Sequence, residues 1–459
     1  MGQSFQYDAP NPHAMNLGRG HLLLILGAGF GIAVGVGNTI GTGILRTPGE
    51  VAGYLGSAWM FFVAWCLGGV YALLCSSSVT ELGTILPRAG GWYVYARRAF
   101  GEHTGFVVGC CDWTVQSVSN AYLAAALGEF VGDLHPGLSQ HVKWIGIAAL
   151  GALALLNYIG LRAGSRTQEV TSLAKALAFI ALIIACFALS PKHDAALLPA
   201  ANAIGGKHSL FLGWILALQG VVITYDGWYA PIYFAEEDQN PARNLPRSMI
   251  GTALSCVGIF LLMNAALFKV LGMDHLAGSQ FPAADASQLL FGNYGRQVIL
   301  LISAVSVIGT MNATLLYTPR ILFGMARDQL LPPGIMFVNQ GGTPALALFL
   351  CTLASIALVA TGTFDTLIAI GSVLFVAVYV SGFASLLVLR KREPLLTRPY
   401  KVWWYPWSTI GVLLASTAFL GAAIIGDLRH SLFTLILVLL SYLASILMVR
   451  NRMRSNVDT

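Results

Sequence analysis

Apolar residues recur in this chain in runs too long for a soluble core, and those runs limit the fold more than any motif does. A helix needs about 20 mostly apolar residues to cross a bilayer. Such runs lie at 21–54, 57–84, 104–131, 143–160, 168–190, 210–235, 248–272, 297–325, 343–361, 364–390, 404–425 and 430–449. They predict an all-α membrane protein with about 12 transmembrane helices. Composition agrees: of 459 residues, 56% are hydrophobic and 10% charged, against about 25% charged in an average soluble protein. The net charge of +6 does not point to nucleic acid, because the basic residues sit in short loops between runs. Residues 1–20 hold one Arg and no apolar segment ahead of a cleavage site, so no signal peptide is expected and the first run is retained.

Alternate loops differ in basic charge. One set holds Arg88, Arg97 and Arg98, then Arg162 and Arg166, Arg243 and Arg247, Arg320 and Arg327, and the group from Arg390 to Lys401. Arg19 and the trio Arg450, Arg452 and Arg454 at the chain ends belong to the same side. The other loops carry only a few, such as Lys143, Lys192, Lys207 and Arg429. By the positive-inside rule both termini are expected in the cytoplasm, for a multi-pass protein of the cell (inner) membrane. All seven cysteines lie inside apolar runs, which implies packing rather than a disulfide framework. The nine histidines fall in loops or at run ends, without zinc-hydrolase spacing, so neither a metal nor a cofactor is expected.

Two runs are interrupted. In the first, GVGNTIGTGILRTPGE (35–50) packs Gly35, Gly37, Gly41 and Gly43 into nine positions, with Pro48 after them. In the sixth, VVITYDGWYAPIYFAEE (221–237) puts Asp226 and Gly227 in mid-run, with Pro231 following. Irregular backbone at membrane depth is tolerated only where protein or a water-filled cavity surrounds it. Proline suits the first turn of a helix, so each run reads as a half-helix, a gap and a second half-helix. Corresponding breaks in two halves of a chain point to the central site of a transporter. Helix N-termini favour anions and C-termini favour cations. N–H groups at Thr42–Gly43–Ile44 facing carbonyls near Ile40 and Thr224–Tyr225 would therefore suit a zwitterion, and an α-amino acid is the obvious one.

GNTIGTGILRTPG resembles the first-helix G-S/T-G signature of the amino acid–polyamine–organocation superfamily. The stretch 225–249, YDGWYAPIYFAEEDQNPARNLPRSM, is similar to the Y-x-G-W…E-E…N-P-x-R-N-L-P segment of its L-type amino acid transporter branch. ELGTILPRAGGWYVYARRAFG (81–101), RILFGMARDQLLP (320–332) and RPYKVWWYP (398–406) look like further landmarks of that branch. The resemblance implies a leucine-transporter-type 5+5 inverted repeat with broken helices 1 and 6. It divides the chain into a tail (1–20), a first repeat (21–190), a second repeat (210–390), helices 11–12 (404–449) and a tail (450–459). It places Thr42, Gly43 and Ile44 on the substrate carboxylate, with Gly41 in the same gap. Carbonyls near Ile40 and from Ile223 to Asp226 (through Thr224 and Tyr225) take the ammonium, and Gly227 permits the second break. Ile223 stands where relatives often carry an aromatic, and Tyr229 replaces a frequent Asn, so neither gating nor selectivity carries over. The loop 132–142 lacks the cysteine by which animal relatives hold a glycoprotein. A free-standing, prokaryote-like member is implied, with no disulfide-linked heavy chain.

Several polar residues lie inside runs, where charge is costly. Asp112, Gln116 and Asn120 recur every four residues and form one stripe, as a pathway lining or as a satisfied hydrogen-bond network. Asp226 sits in the gap, either against a substrate side chain or as a cap on free N–H groups. Arg46 and Glu50 are spaced for a local ion pair. Glu236, Glu237 and Asp238 are expected to lock the arginine-rich end, and KVWWYPW (401–407) to anchor at the interface. Lys175 lies in mid-run without an acidic neighbour, too deep to snorkel. Its ammonium needs oxygens, which the first break and Ser303, Ser306 and Thr310 could supply. The resemblance puts it where sodium-coupled members of the fold hold a sodium ion and sodium-independent relatives carry a lysine; there it could also release a proton and couple transport to pH.

The function expected is secondary amino acid transport by alternating access, sodium-independent, with neutral L-amino acids carried by exchange or with protons. Its partners are the amino acid and the bilayer. The alternatives are a cationic amino acid or polyamine transporter and, in another class, an amino-acid-binding membrane sensor. A channel would want rings of charge or filter carbonyls, and no ATP-binding motif supports a pump.

Overall fold

The computed structural model describes residues 22–190, 209–361, 364–426 and 428–455. The tail 1–20 with Arg19, the loop lysines Lys192 and Lys207, and the end of the C-terminal tail (456–459) lie outside the described residues.

Every expected apolar run contains a helix among the described residues. The helices are α1 (Ala28–Thr39), α2 (Gly43–Leu55), α3 (Ala58–Ile85), α4 (Trp92–Phe100), α5 (Glu102–Leu134), α6 (Val142–Ile159), α7 (Leu161–Ala188) and α8 (Leu210–Thr224). They continue with α9 (Pro241–Gly278), α10 (Pro282–Phe291), α11 (Asn293–Arg327), α12 (Ala345–Thr361), α13 (Phe364–Arg392), α14 (Trp407–Gly426) and α15 (Leu428–Ser455). Eight helices among the described residues are long and apolar enough to cross a membrane, and α1 with α2 adds a ninth if the bent pair counts as one. The other three expected spans fall short for separate reasons. α8 and α12 have 15 and 17 residues, below the span of about 20. α5 has 33 residues and fails on polarity, since Asp112, Gln116 and Asn120 interrupt it. The protein is all-helical and multi-pass; the count of twelve is not established by length and composition.

Burial separates an inner bundle from a lipid-facing shell. In α11, 72% of the most apolar stretch is buried; in α14 only 17% is. α5 packs against α11, α13, α4 and α6 and forms the centre. Leu432, Leu435, Ile436, Leu439 and Leu440 on α15 are more than half exposed. A row of apolar side chains of that length needs hydrocarbon against it.

The two breaks are brought together. α2 packs along α8, and α1 packs against the short 3-10 turn Ala230–Phe234 that follows the second break. α1 and α2 diverge by 46°. The second break differs from its expected form, because its second arm is that single five-residue turn and not an α half-helix. Pro231 does stand at the start of the turn, where its missing N–H costs nothing. Pro48 does not: it lies inside α2, five residues after the first helical residue. There it withholds an N–H from the Ile44 carbonyl one turn back.

Candidate substrate site

Gly227 is the point of closest approach between the breaks. Its φ is +115, and a Cβ there would lie 2.7 Å from the Asn38 carbonyl carbon and the Thr39 nitrogen. Only glycine meets both conditions, positive φ and backbone contact. Asn38 Nδ2 donates to the Gly227 carbonyl at 3.3 Å. On the other side of the gap Gly43 faces Thr224, whose Oγ1 would lie 3.2 Å from an added Cβ. Thr224 Oγ1 in turn donates to Thr47 on α2 at 3.0 Å.

Between these contacts the backbone runs free. Ile40 and Gly41 close the end of α1, donating to Val36 and Thr39. α2 begins at Gly43 with Thr42 as its N-cap and no side-chain cap. Among the described residues the N–H groups of Thr42, Gly43 and Ile44 make no backbone hydrogen bond outside their helix. A helix start with open N–H groups is an anion site, which is where a carboxylate would sit.

The carbonyl side differs from the expectation at two residues, one of them Ile223, whose carbonyl accepts the Asp226 N–H at 3.2 Å. The Ile40 carbonyl already accepts from Lys175 Nζ at 3.1 Å and from Ser306 Oγ at 3.0 Å. It has no lone pair left for an incoming ammonium. At the end of α8 the carbonyls of Thr224 and Tyr225 accept no turn or loop hydrogen bond among the described residues.

Lys175, fully surrounded on α7, collects four oxygens. Its Nζ donates to the carbonyls of Gly37 (2.7 Å), Ile40 (3.1 Å) and Ser306 (3.0 Å) and to Thr310 Oγ1 (3.3 Å). Thr310 also donates to the Gly37 carbonyl at 3.1 Å. The ammonium thus ties α7 to the first break and to α11. Two of the three expected hydroxyls act otherwise. Ser306 gives the lysine its carbonyl, and its hydroxyl goes to Ile40. Ser303 Oγ is buried without a hydrogen-bond partner among the described residues.

The polar stripe of α5 is mostly a satisfied network. Gln116 Nε2 donates to Asp112 Oδ1 at 3.1 Å and to the Tyr229 hydroxyl at 3.3 Å. Tyr233 donates to both Asp112 oxygens, at 2.8 and 2.9 Å, and Tyr317 to Gln116 Oε1 at 2.8 Å. Asn120 is the exception, fully buried with neither amide atom hydrogen-bonded among the described residues. Asp226 accepts from the Tyr379 hydroxyl on α13. It is therefore held by a phenol rather than serving only as a cap. Trp92, Trp228, Tyr229 and Tyr379 pack ring against ring around it, with centroids 5.0–6.4 Å apart.

Tyr233, Tyr317, Tyr379 and Trp92 were missed from sequence. The signal was present in part: a tyrosine in mid-run needs a partner for its hydroxyl. Pairing Tyr379 with Asp226 needed the fold, since 153 positions separate them.

The gap is closed at the arginine-rich end. Arg320 binds Glu237 through Nη2 (2.9 Å) and Nε (3.2 Å), with both side chains buried. Arg327 pairs with Glu236, and Arg97 with Asp328 at 2.8 Å. Leu26 exchanges backbone hydrogen bonds with Glu237 and Gln239, both 3.0 Å. Asp238 instead caps α9, accepting from the Asn240 N–H and from Asn244. Toward the other end Ile223 is 47% exposed. Arg46 makes no ion pair with Glu50 among the described residues. Its guanidinium lies over the stacked rings of Phe130 and Phe281, 5.1 and 5.3 Å from their centroids, where cation–π contact replaces the expected bridge. The seven cysteines are free thiols, and no group able to hold a metal ion occurs among the described residues.

Known proteins share this pattern along nearly the whole chain. The serine/threonine exchanger SteT of Bacillus subtilis (strain 168) is 30% identical over 411 residues, covering 88% of this chain and 91% of the relative. The mouse (Mus musculus) b(0,+)-type amino acid transporter 1 is 28% identical, covering 86% and 82%. The mouse Asc-type amino acid transporter 1 is 29% identical, covering 80% and 70%. The profile of the amino acid permease family matches residues 30–442. Two meeting helix breaks, a match over that range and such relatives agree: this chain is a membrane transporter, not an enzyme, and belongs to the amino acid permease family.

Proposed function

We propose that this protein is a sodium-independent secondary transporter of neutral L-amino acids that works by alternating access. The observation that carries the reading is the set of oxygens around Lys175, three carbonyls and a hydroxyl from two different helices. These are hard oxygen ligands of the kind a small cation takes. A tethered ammonium fills the place and leaves sodium without one.

The substrate reading follows from the backbone. Open N–H groups at the start of α2 suit a carboxylate, and free carbonyls at the end of α8 suit an ammonium. The breaks at α1/α2 and after α8 act as counterparts in two inverted repeats, and rocking about them would expose the gap to each side in turn. The ion pairs Glu237–Arg320 and Glu236–Arg327 close one side; with that side cytoplasmic, the state described is closed to the inside. A second reading, a cationic amino acid, is favoured by one observation: Asp226 stands at the break and could meet a positive side chain.

The test is uptake of labelled neutral amino acids into proteoliposomes, with sodium replaced by choline. Equal uptake in both salts is expected. Strict sodium dependence would overturn the reading, and inhibition by arginine and lysine alone would favour the cationic substrate.

A further inference from the structure

Several arginines at the arginine-rich end meet a carboxylate: Arg97 pairs with Asp328, Arg320 with Glu237, Arg327 with Glu236 and Arg390 with Glu81. Arg162 and Arg166, one turn apart at the start of α7, do not. Both are exposed, and neither guanidinium makes a hydrogen bond or ion pair among the described residues. Together with Ile159, Gly160, Gln340 and Gly341 they line a hollow of about 550 Å³. The two loops that form it are stitched together. The Leu161 N–H donates to the Gly341 carbonyl at 2.8 Å, and Asn339 Nδ2 to the Tyr158 carbonyl at 2.6 Å. A Cβ on Gly341 would lie 2.5 Å from the Ile159 carbonyl oxygen, so the α6–α7 turn and the loop after α11 touch through backbone.

The same side chains border lipid-facing surface. At 3.6 residues per turn, positions 162, 166, 173, 177, 180 and 184 fall within about 60° of one another around α7. Leu173, Leu177, Ile180 and Ile184 on that face are 42–62% exposed. On α6, Ile159 at the rim of the hollow is 67% exposed and Leu155, one turn back, 65%. Two rows of bare apolar side chains thus run from the guanidiniums into hydrocarbon. Glu169 is the only acid in α7; it is exposed on the same face, one turn deeper, and does not line the hollow. The two guanidiniums outweigh it.

Unpaired positive charge in a hollow, continued by apolar faces, matches a molecule that is anionic at one end and hydrocarbon at the other. We propose that the hollow holds the phosphate headgroup of an anionic phospholipid from the leaflet at the arginine-rich end, with its acyl chains along α6 and α7. Each guanidinium offers paired N–H donors to phosphate oxygens, and Gln340 offers an amide. Leu23 also lines the hollow and packs on Gly342, where a Cβ would lie 2.6 Å from the Leu23 Cγ. Three residues on, Leu26 makes the backbone bridge to Glu237 and Gln239 that seals this end. A bound headgroup therefore braces the segment leading into α1 and slows opening there. The site needs only the membrane fold, whatever the substrate of the gap proves to be.

The test uses the purified full chain in detergent and native mass spectrometry, with dioleoyl phosphatidylglycerol, phosphatidylcholine and phosphatidylethanolamine as probes. One phosphatidylglycerol per chain is expected to stay bound where the other two do not, and equal retention of all three overturns the proposal. Displacement by an equal concentration of inorganic phosphate overturns it too, because the site would then take a soluble anion. A guanidinium near the headgroups is worth about fivefold in affinity, so Arg162→Gln with Arg166→Gln should weaken retention about 25-fold. Arg243 and Arg247 on α9 are exposed and lie outside the hollow. Arg243→Gln with Arg247→Gln removes the same charge and should leave retention unchanged; an equal loss in both double variants means general attraction to a basic surface and overturns the site. Glu169→Gln should tighten phosphatidylglycerol, whereas weakening would mean that its carboxylate meets a lipid ammonium, which overturns the anionic class. In nanodiscs, hydrogen exchange at the Gln239 amide should slow when phosphatidylglycerol replaces phosphatidylcholine. Unchanged exchange with binding measured overturns the brace.

Discussion

Lys175 shows how much can depend on one side chain. Four oxygens from α1 and α11 converge on its ammonium. Truncating it leaves carbonyls buried without a donor, each costing about 1–3 kcal/mol. Lys175→Ala is expected to lose roughly 3 kcal/mol of the arrangement around the first break, so the uptake rate falls about a hundredfold. Unchanged kinetics would remove the role. Gly227 is constrained in another way. Its φ of +115 and the 2.7 Å approach to Asn38 and Thr39 leave no room for a methyl group. Gly227→Ala is expected to destabilise the protein by about 3 kcal/mol, through strain and overpacking together. A thermal shift in detergent measures it, and a variant as stable as the parent would mean that the breaks do not touch.

At the scale of the element, a helix break is only as specific as the glycine that makes it. Gly43 faces Thr224 across the gap, whereas a Cβ on Gly41 meets nothing within 4 Å. Gly43→Leu is therefore expected to abolish uptake while membrane insertion stays intact, and Gly41→Ala to fold and insert normally. Equal tolerance at both positions would mean that α2 does not line the site. The first break was legible in the sequence because four glycines and a proline so close together weaken a helix that an apolar run would otherwise keep whole. The second was legible at Gly227 and Pro231, but not in its length after the gap. A single 3-10 turn and a half-helix begin with the same proline, and tertiary packing decides between them. The lysine site could be read from one fact, an ammonium in mid-run that must find oxygen. Its full set of ligands could not, because whether Ser306 offers a hydroxyl or a carbonyl depends on rotation about α11. Arg46 shows the same limit. Spacing offered Glu50, while the fold brought Phe130 and Phe281, distant in sequence, to its guanidinium.

For the whole molecule the question is what keeps one end of the gap shut while the other is open. Glu237 and Arg320 are buried at 0% and 1% side-chain exposure and share two hydrogen bonds. The Arg320 Nη1 also donates to the Leu316 carbonyl at 2.6 Å. Breaking a buried pair by removing one partner costs about 3–5 kcal/mol, because the other charge is left unpaired. That energy is spent only in the closed arrangement, since an open end would let water reach Arg320. Glu237→Gln should thus shift the population toward opening at the arginine-rich end by up to about 3 kcal/mol. The shift is readable in the backbone. The Ala89 N–H donates to Glu236, and the Gln239 N–H to Leu26 across the bridge that seals this end. Hydrogen exchange at those two amides should rise in Glu237→Gln, while amides in the centre of α11 stay protected. Exchange that is unchanged at Ala89 and Gln239 would show that the pair serves packing alone and that the seal rests on Arg327–Glu236 and the Leu26 bridge.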